Sequence, residues 1–265
     1  MPDSNPEDEL AGTEQPFVAH LVELRDRLIR AMIAVGVVAA VLFLYPGPAA
    51  LYDILAAPLV AHLPKGATLI ATSVISPFLV PLKILLMAAF LIALPVVLYQ
   101  AWAFVAPGLY SHEKKLVLPL VFSSTVLFFA GVCFCYFFVF GQVFSFIQSF
   151  APKSITAAPD IEAYLSFVLT MFLAFGLAFE VPIVVVVLAR MGFVSIAKLK
   201  EFRPYFIVVA FIIAAVITPP DVVSQLALAI PMCLLYEAGI WAAQLFMKHT
   251  KAPDAADSAA KAQDS

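Results

Sequence analysis

The sequence predicts an all-α, polytopic integral membrane protein with six transmembrane helices, kinked and curved in their packing, and both termini in the cytoplasm. Of the 265 residues, 63% are hydrophobic and 12% are charged, against about 45–50% and about 25% in an average soluble domain. The charged residues lie far apart, and the basic ones gather on one side of the predicted membrane. These three observations agree on the fold class.

Six apolar stretches give the predicted spans in order. A hydrocarbon core of about 30 Å takes about 20 apolar residues per helix. Stretches without Asp, Glu, Lys or Arg run over residues 31–52, 84–112, 116–152, 163–179 and 204–220. A sixth follows Asp221 and ends near Met247, interrupted only by Glu237. We therefore expect a membrane domain at 17–247, between disordered cytoplasmic tails at 1–16 and 248–265. Because the first ten residues are acidic, we expect no cleaved signal peptide.

Basic residues predict the orientation. Twelve of the 15 Lys and Arg residues fall before the first span, in the second and fourth connections, or after the last span. The opposite side has Lys65, Lys153 and, at the mouth of the second span, Lys83. Because cytoplasmic loops collect Lys and Arg, we expect an inner-membrane protein with both ends cytoplasmic. A net charge of −3 is too small to indicate a nucleic-acid partner.

The spans differ in length and shape. The third is long enough to tilt or project outward, whereas the fifth, at about residues 205–218, is short for a bilayer. Prolines inside spans remove a backbone hydrogen bond and can kink a helix; they are Pro95, Pro119, Pro182 and Pro231. The first outward connection, residues 46–80, is too hydrophobic for a solvated linker, and we expect it to form a helical cap.

Two isolated acids lie in basic surroundings at the predicted cytoplasmic side. Glu23, just before the first span, is either held by a nearby Arg or available to a cationic ligand. Glu113 is the single acid in the second connection. It either pairs with Lys114 or Lys115 in an ordinary turn or belongs to a binding site.

Polar residues inside the apolar spans are the other candidates. Glu180 and Glu237 are costly in lipid, so a functional role is the first hypothesis and a protonated carboxyl bonded across helices is the alternative. Asp221 is placed to cap the sixth helix. Gln225, one turn further in, needs a polar partner.

Signatures of enzymes and cofactors are absent from the sequence. There is no Gly-rich phosphate loop with Lys and no Gly-x-Ser-x-Gly elbow, and His112-Glu113 lacks the second His of a zinc-protease helix. Cys133, Cys135 and Cys233 match no redox or zinc spacing, and we expect all three to be buried packing residues. We therefore expect no enzyme activity, no cofactor and no metal.

Eight motifs in sequence order resemble the TatC family of the twin-arginine, or Sec-independent, protein translocase. They extend over about residues 17–247 and are His20-Leu-Val-Glu-Leu-Arg25, Ala71–Phe78, Tyr99–Gly108, His112-Glu113, Tyr164–Phe167, Phe175–Pro182, Arg203-Pro-Tyr205 and Thr218–Val222. The resemblance implies six spans with both ends cytoplasmic and recognition of paired-arginine signal peptides on folded cargo. It also implies the single-span partners TatA and TatB, several copies in a hetero-oligomer within membrane lipid, and export driven by the proton-motive force.

The resemblance assigns roles to residues at matching positions. Glu23 and Glu113 would receive the two guanidinium groups, because a planar guanidinium pairs bidentately with a carboxylate and lysine does not. The signal-peptide site would comprise Glu23, Arg25, Phe104, Glu113 and Lys115. Partner contacts or translocation would involve Pro58, Glu180, Asp221 and Gln225. Lys114-Lys115 stands where many relatives have arginines, so a role that needs a guanidinium there does not carry over.

Two other functional classes, a solute carrier and a membrane enzyme, fit the sequence less well. A proton-coupled small-solute carrier is the alternative, but the sequence shows no inverted repeat with paired broken helices. A membrane enzyme would need a catalytic constellation, and none is seen.

Overall fold

The computed structural model describes the backbone of residues 6–53, 69–105, 117–150, 160–218 and 221–263, and most side chains between 20 and 245 within those ranges. In chain order the helices are α1 Pro6–Leu44, α2 Ser76–Val105, α3 Val117–Phe134, α4 Phe140–Phe150, α5 Ile161–Ala178, α6 Val181–Arg190, α7 Ile196–Glu201, α8 Arg203–Ile217 and α9 Val222–Gln263. A π-helical segment, Cys135–Val139, joins α3 to α4.

Six helical segments correspond to the predicted spans. Five are long and apolar enough to cross a membrane: His20–Leu44, Ser76–Val105, Val117–Phe146, Ile161–Arg190 and Val222–Leu245. The shorter Arg203–Ile217 lies between the last two. We number these segments spans 1 to 6 in chain order. Span 5 has 15 residues, or about 22 Å at 1.5 Å per residue, against a hydrocarbon core of about 30 Å. The predicted helical membrane fold and the short fifth span are confirmed.

Span 4 is broken at one of the four prolines for which the sequence predicts a kink. Helix α5 ends at Ala178 and α6 begins at Val181. Pro182 has no N–H, so the carbonyl of Ala178 loses its usual helical donor. The N-cap of the next helix is Glu180, whose backbone carbonyl accepts from Ile183 N and Val184 N at 3.0 Å each. Glu180 therefore lies at the break. Other prolines, such as those within α2, lie in continuous helix.

The hydrophobic core lies where spans 2, 3, 4 and 6 meet. Its largest fully buried side chains are Phe128, Phe140, Phe175, Leu85, Leu94, Leu165, Met171, Leu228 and Ile240. Span 6 packs against α6 and span 5, whereas span 1 packs mainly against span 2 and leaves most of its apolar surface exposed. Lipid or partner helices must therefore cover span 1.

Two glycines allow α3 and α5 to approach closely. A Cβ atom at Gly131 would meet the backbone carbonyl of Phe175 and would lie 2.9 Å from Cγ of Phe179. A Cβ at Gly176 would meet the ring of Phe128. Small residues at such crossings let helix backbones pack tightly in membranes, and here they make room for neighbouring phenylalanines.

The three cysteines differ in exposure. Cys133 is exposed although Cys135 is buried and Cys233 is half-buried, so the prediction of three buried cysteines is wrong for Cys133. Residues two apart on a helix point about 200° apart, and both cannot face one core.

Of the predicted outer cap, residues 48–53 are helical and 54–68 lie outside the described residues. The division into one membrane domain and two tails stays a prediction.

We expect Gly131→Ala to destabilise the bundle, because overpacking a tight contact costs about 1–3 kcal/mol and outweighs the gain of about 1 kcal/mol in helix propensity. Thermal unfolding of the detergent-solubilised protein, followed by circular dichroism, measures the effect. Gly141→Ala is the matched control in the same span, because no atom lies within 4 Å of the added Cβ. Equal melting temperatures for the two variants would contradict the close contact.

Candidate functional site

The predicted cytoplasmic ends of spans 1 and 2 meet through an aromatic contact. The ring of His20 stacks on Phe104, with centroids 4.3 Å apart and planes 19° from parallel. Phe104 is the penultimate residue of α2, and Glu23 lies one turn after His20 along α1. The contact therefore brings Glu23 to the end of the bundle at which the second connection, the one with Glu113, begins.

Glu23 is held by an arginine of its own helix. Arg27 donates from Nε and Nη2 to Glu23 Oε1 at 2.9 and 2.6 Å. The side chains of Arg27 and Glu23 are 21% and 35% exposed. Of the two possibilities that the sequence left open, the structure shows the paired one. Both bonds end on the same carboxylate oxygen, so Oε2 retains its capacity to accept a hydrogen bond.

Arg25, the next candidate, is directed elsewhere. Its guanidinium binds the neighbouring Asp26 through Nε at 3.1 Å and Nη2 at 2.9 Å, and both side chains are largely exposed. An exposed pair of adjacent residues contributes little to stability. Arg25 is therefore accessible to an external ligand.

Three predicted site residues lie outside the described residues. They are Pro58, Glu113 and Lys115. Their roles stay predictions.

Glu180 lies inside the bundle, only 7% exposed. Ser124 accepts a hydrogen bond from Trp102 Nε1 at 2.8 Å, and its hydroxyl is close enough to interact with the Glu180 carboxyl. Neither oxygen of that carboxyl has a hydrogen bond of good geometry among the described residues. A buried carboxyl without such partners is energetically costly, so this position is available for a donor from outside the chain.

A cavity of about 390 Å³ lies beside this position. It is almost wholly apolar, and its lining includes Trp102, Pro182, Ile183 and Arg190. Pro182 and Ile183 lie two and three residues after Glu180, in the first turn of α6. The break thus places a buried acid close to an apolar cavity, which lies toward the predicted cytoplasmic ends of spans 2 and 4.

Glu237, the other acid that the sequence places deep in an apolar span, has a partner that the sequence did not suggest. Arg203 Nη2 donates to Glu237 Oε2 at 2.7 Å, and Arg203 Nε lies 2.6 Å from Oε1. The hydroxyl of Tyr236 donates to the carbonyl of Leu199 at 2.8 Å, and the ring of Tyr236 stacks on Phe206 at 4.0 Å. These contacts fix span 6 to the fourth connection and span 5, which is a structural role.

Asp221 caps span 6, as predicted. Its Oδ1 accepts from Ser224 N at 2.7 Å, the geometry of an N-cap aspartate. Its Oδ2 is buried and has no hydrogen bond among the described residues. Gln225, on the following turn, is half-buried and its backbone N donates to the Asp221 carbonyl at 3.2 Å.

At the predicted outward end, Asp160 joins the first outward connection to span 4. Its Oδ1 accepts from Thr72 Oγ1 at 2.7 Å and from Thr72 N at 3.1 Å, and its Oδ2 accepts from Ala163 N at 3.0 Å. The Thr72 hydroxyl, followed by the two backbone N–H groups, holds the pKa of Asp160 below its usual range. The ionised form is therefore the one that holds the outward connection in place.

The sequence does not identify the partners of two candidates. It offers a nearby Arg for Glu23 without selecting Arg27, and it places Arg203 in the Arg203-Pro-Tyr205 motif without a partner, yet each of these arginines binds a glutamate. The i,i+4 spacing of Glu23 and Arg27 was a usable signal. The contacts of His20 with Phe104 and of Trp102 with Ser124 join residues that are distant in sequence, and no local pattern indicates them.

Comparison with known proteins agrees with the fold and the motifs. The family model described as "Sec-independent protein translocase protein (TatC)" matches residues 19–231. The protein of that name from Haemophilus influenzae is 50% identical over 232 residues, which cover 88% of this chain and 90% of that one. The one from Escherichia coli K12 is 46% identical over 233 residues, with the same coverage. A crystal structure of the "Twin Arginine Translocase Receptor- TatC" superposes with a TM-score of 0.74 at 42% identity, covering 85% of this chain and 98% of that one.

The cap at Asp221 leads to a test that separates geometry from charge. We expect Asp221→Ala to lower stability by about 1 kcal/mol, the usual value of an N-cap, whereas Asp221→Asn retains an acceptor and most of the stability. Thermal unfolding in detergent measures both variants. If Asp221→Asn melts as early as Asp221→Ala, the carboxylate charge matters more than the cap.

Proposed function

Because the chain belongs to the TatC family of Sec-independent protein translocase proteins, we propose that it captures paired-arginine signal peptides of folded proteins at its cytoplasmic face. Glu23 and Glu113 bind the two guanidinium groups. Single-span partners of the TatA and TatB type then join it, and the proton-motive force drives export across the inner membrane. The alternative, a proton-coupled solute carrier, has no support from the comparisons.

The contact between His20 and Phe104 carries this proposal. It brings Glu23 close to Phe104 at the end of span 2, and Phe104 lies nine residues before Glu113 in the sequence. Two carboxylates at one end of the bundle match two adjacent guanidinium groups in charge and in hydrogen-bonding geometry. The apolar cavity near the break in span 4 lies at the same predicted end and suits an apolar segment that follows the arginines.

Arg27 defines how the first guanidinium binds. It occupies Glu23 Oε1 and leaves Oε2 with capacity to accept. An incoming arginine binds Oε2 or displaces Arg27 from a partly exposed pair that contributes only about 0.3–0.5 kcal/mol. Arg27 therefore holds the carboxylate in a fixed orientation without blocking Oε2.

Glu180 is the site proposed for the single-span partners. It is buried at the break of span 4 and has no hydrogen bond of good geometry to the part of the chain that the structure describes. A partner helix with a polar side chain at the matching depth would supply the missing donor or acceptor. The same residue is too deep to meet the guanidinium groups of a signal peptide.

We expect Glu23→Gln and Glu113→Gln each to weaken binding of a labelled paired-arginine peptide by about tenfold or more, the value of one charge-assisted hydrogen bond. Glutamine keeps the side-chain shape and removes the charge. Fluorescence anisotropy with purified protein gives the affinity. A peptide with lysines in place of the arginines should lose less affinity from either substitution, because it does not pair bidentately.

Asp26→Asn is the matched control for that experiment. Asp26 is an exposed acid three residues after Glu23 that already binds Arg25, and its loss should change peptide affinity less than twofold, within the range of an exposed pair. Full affinity in both glutamine variants would rule out the carboxylate site.

A second experiment separates capture from partner binding. We expect Glu180→Ala to reduce co-purification of a TatB-type subunit while peptide affinity stays close to that of the unmodified protein. Leu177→Ala is the control on the same span, because Leu177 is 56% exposed and the substitution changes only its apolar side chain. The opposite pattern, lost peptide capture with an intact complex, would move Glu180 into the peptide site.

A further inference from the structure

A second groove lies on the outside of the bundle, between spans 2 and 4. It encloses about 420 Å³ and is lined by Lys83, Leu86, Phe90, Ser166, Thr170 and Leu173, among others. Spans 2 and 4 run in the same direction, since Ser76 and Lys83 of span 2 both contact Glu162 at the start of span 4. The position of each residue along its span therefore gives its depth in the membrane.

Depth divides the groove into two parts. The polar residues Lys83, Ser166 and Thr170 lie nearer the starts of the two spans. The apolar residues Phe90 and Leu173 lie seven residues beyond Lys83 and Ser166, or about 10 Å deeper at 1.5 Å per residue. This gradient, polar at the membrane surface and apolar toward its centre, is that of a phospholipid molecule.

At the polar end of the groove, Lys83 and Glu162 form an ion pair that remains partly exposed. Lys83 Nζ donates to Glu162 Oε1 at 2.7 Å and to Ser166 Oγ at 3.3 Å, which uses two of its three N–H groups. Glu162 Oε2 accepts from Ser76 Oγ at 2.8 Å. The Lys83 and Glu162 side chains are 41% and 31% exposed, so each can take a further partner. A cation and an anion are thus presented side by side.

We propose that this groove binds a membrane phospholipid with a phosphoethanolamine headgroup. The phosphate accepts from the third N–H of Lys83 and from the Ser166 hydroxyl, and the lipid ammonium donates to Glu162. One acyl chain lies along Leu86, Phe90 and Leu173. The zwitterionic headgroup matches the ion pair in both signs, so binding leaves no charge uncompensated.

Other headgroups match this site less well. A phosphoglycerol headgroup has a phosphate for Lys83 and hydroxyls that can donate to Glu162, but it has no cation to balance the carboxylate. A phosphocholine headgroup has a cation without N–H groups, so it cannot donate a hydrogen bond to the carboxylate. Hydrogen bonds between two ionised groups are the strongest, and the ethanolamine headgroup alone among these three makes them to both Lys83 and Glu162.

Native mass spectrometry of the full-length protein, delipidated and then incubated with lipids of identical acyl chains, tests the proposal. We expect occupancy by the ethanolamine lipid to exceed that by the choline and glycerol lipids by about tenfold, the value of one charge-assisted hydrogen bond. Lys83→Gln and Glu162→Gln should each remove that preference. Lys198→Gln, which changes an exposed lysine at the other end of the bundle, should leave it unchanged.

Leu173→Trp keeps the proposal testable if the two glutamine variants do not fold. It fills the apolar end of the groove and leaves the ion pair intact, so we expect it to reduce occupancy by all three lipids together. Equal occupancy by the three lipids in the unmodified protein would overturn the proposal. So would retention of the ethanolamine lipid at the original level in Leu173→Trp or in correctly folded glutamine variants.

Discussion

Charged side chains within this bundle are stable because partners from neighbouring helices compensate them. In a bilayer no water replaces a missing partner, and an isolated charge costs several kcal/mol. Lys83 with Glu162 joins spans 2 and 4 at one end, and Arg203 with Glu237 joins spans 5 and 6 toward the other. Each pair fixes which helices are neighbours and at what depth. Apolar side chains, which can be exchanged for others of similar volume, then pack between helices that these ion pairs hold together.

Glu180 is an exception to this rule. It is as buried as the core around it, but its carboxyl has no hydrogen bond of good geometry among the described residues. It lies between the end of α5 and the start of α6, next to Pro182, where the helical hydrogen bonds are interrupted. A costly group at a break in a span is the pattern expected where binding supplies the compensation.

The number of spans and the short fifth span could be predicted because hydrophobicity acts locally. The prolines were less informative: Pro95, Pro119, Pro182 and Pro231 were all candidates for kinks, and among these four only Pro182 lies at a break between helices. The cap at Asp221 could be predicted because it is a local contact. For Glu23 several arginines were near in sequence, although the i,i+4 spacing favours Arg27. For Glu237 the partner lies 34 residues earlier, and only the packing of spans 5 and 6 selects it. The exposure of Cys133 shows the same limit, since composition does not reveal which side of a helix faces lipid.

The pairing of Glu23 differs in kind from the other two ion pairs. Arg27 and Glu23 belong to one helix, four residues apart, so separating them breaks no contact between spans. Span 1 also packs mainly against span 2, and few of its residues are buried. Exchange of Arg27 for the guanidinium of the proposed signal peptide would therefore disturb no contact between spans, whereas exchange at Lys83–Glu162 or Arg203–Glu237 would loosen the bundle. Where an ion pair lies within one helix, it suits ligand exchange; where it bridges two, it maintains the fold.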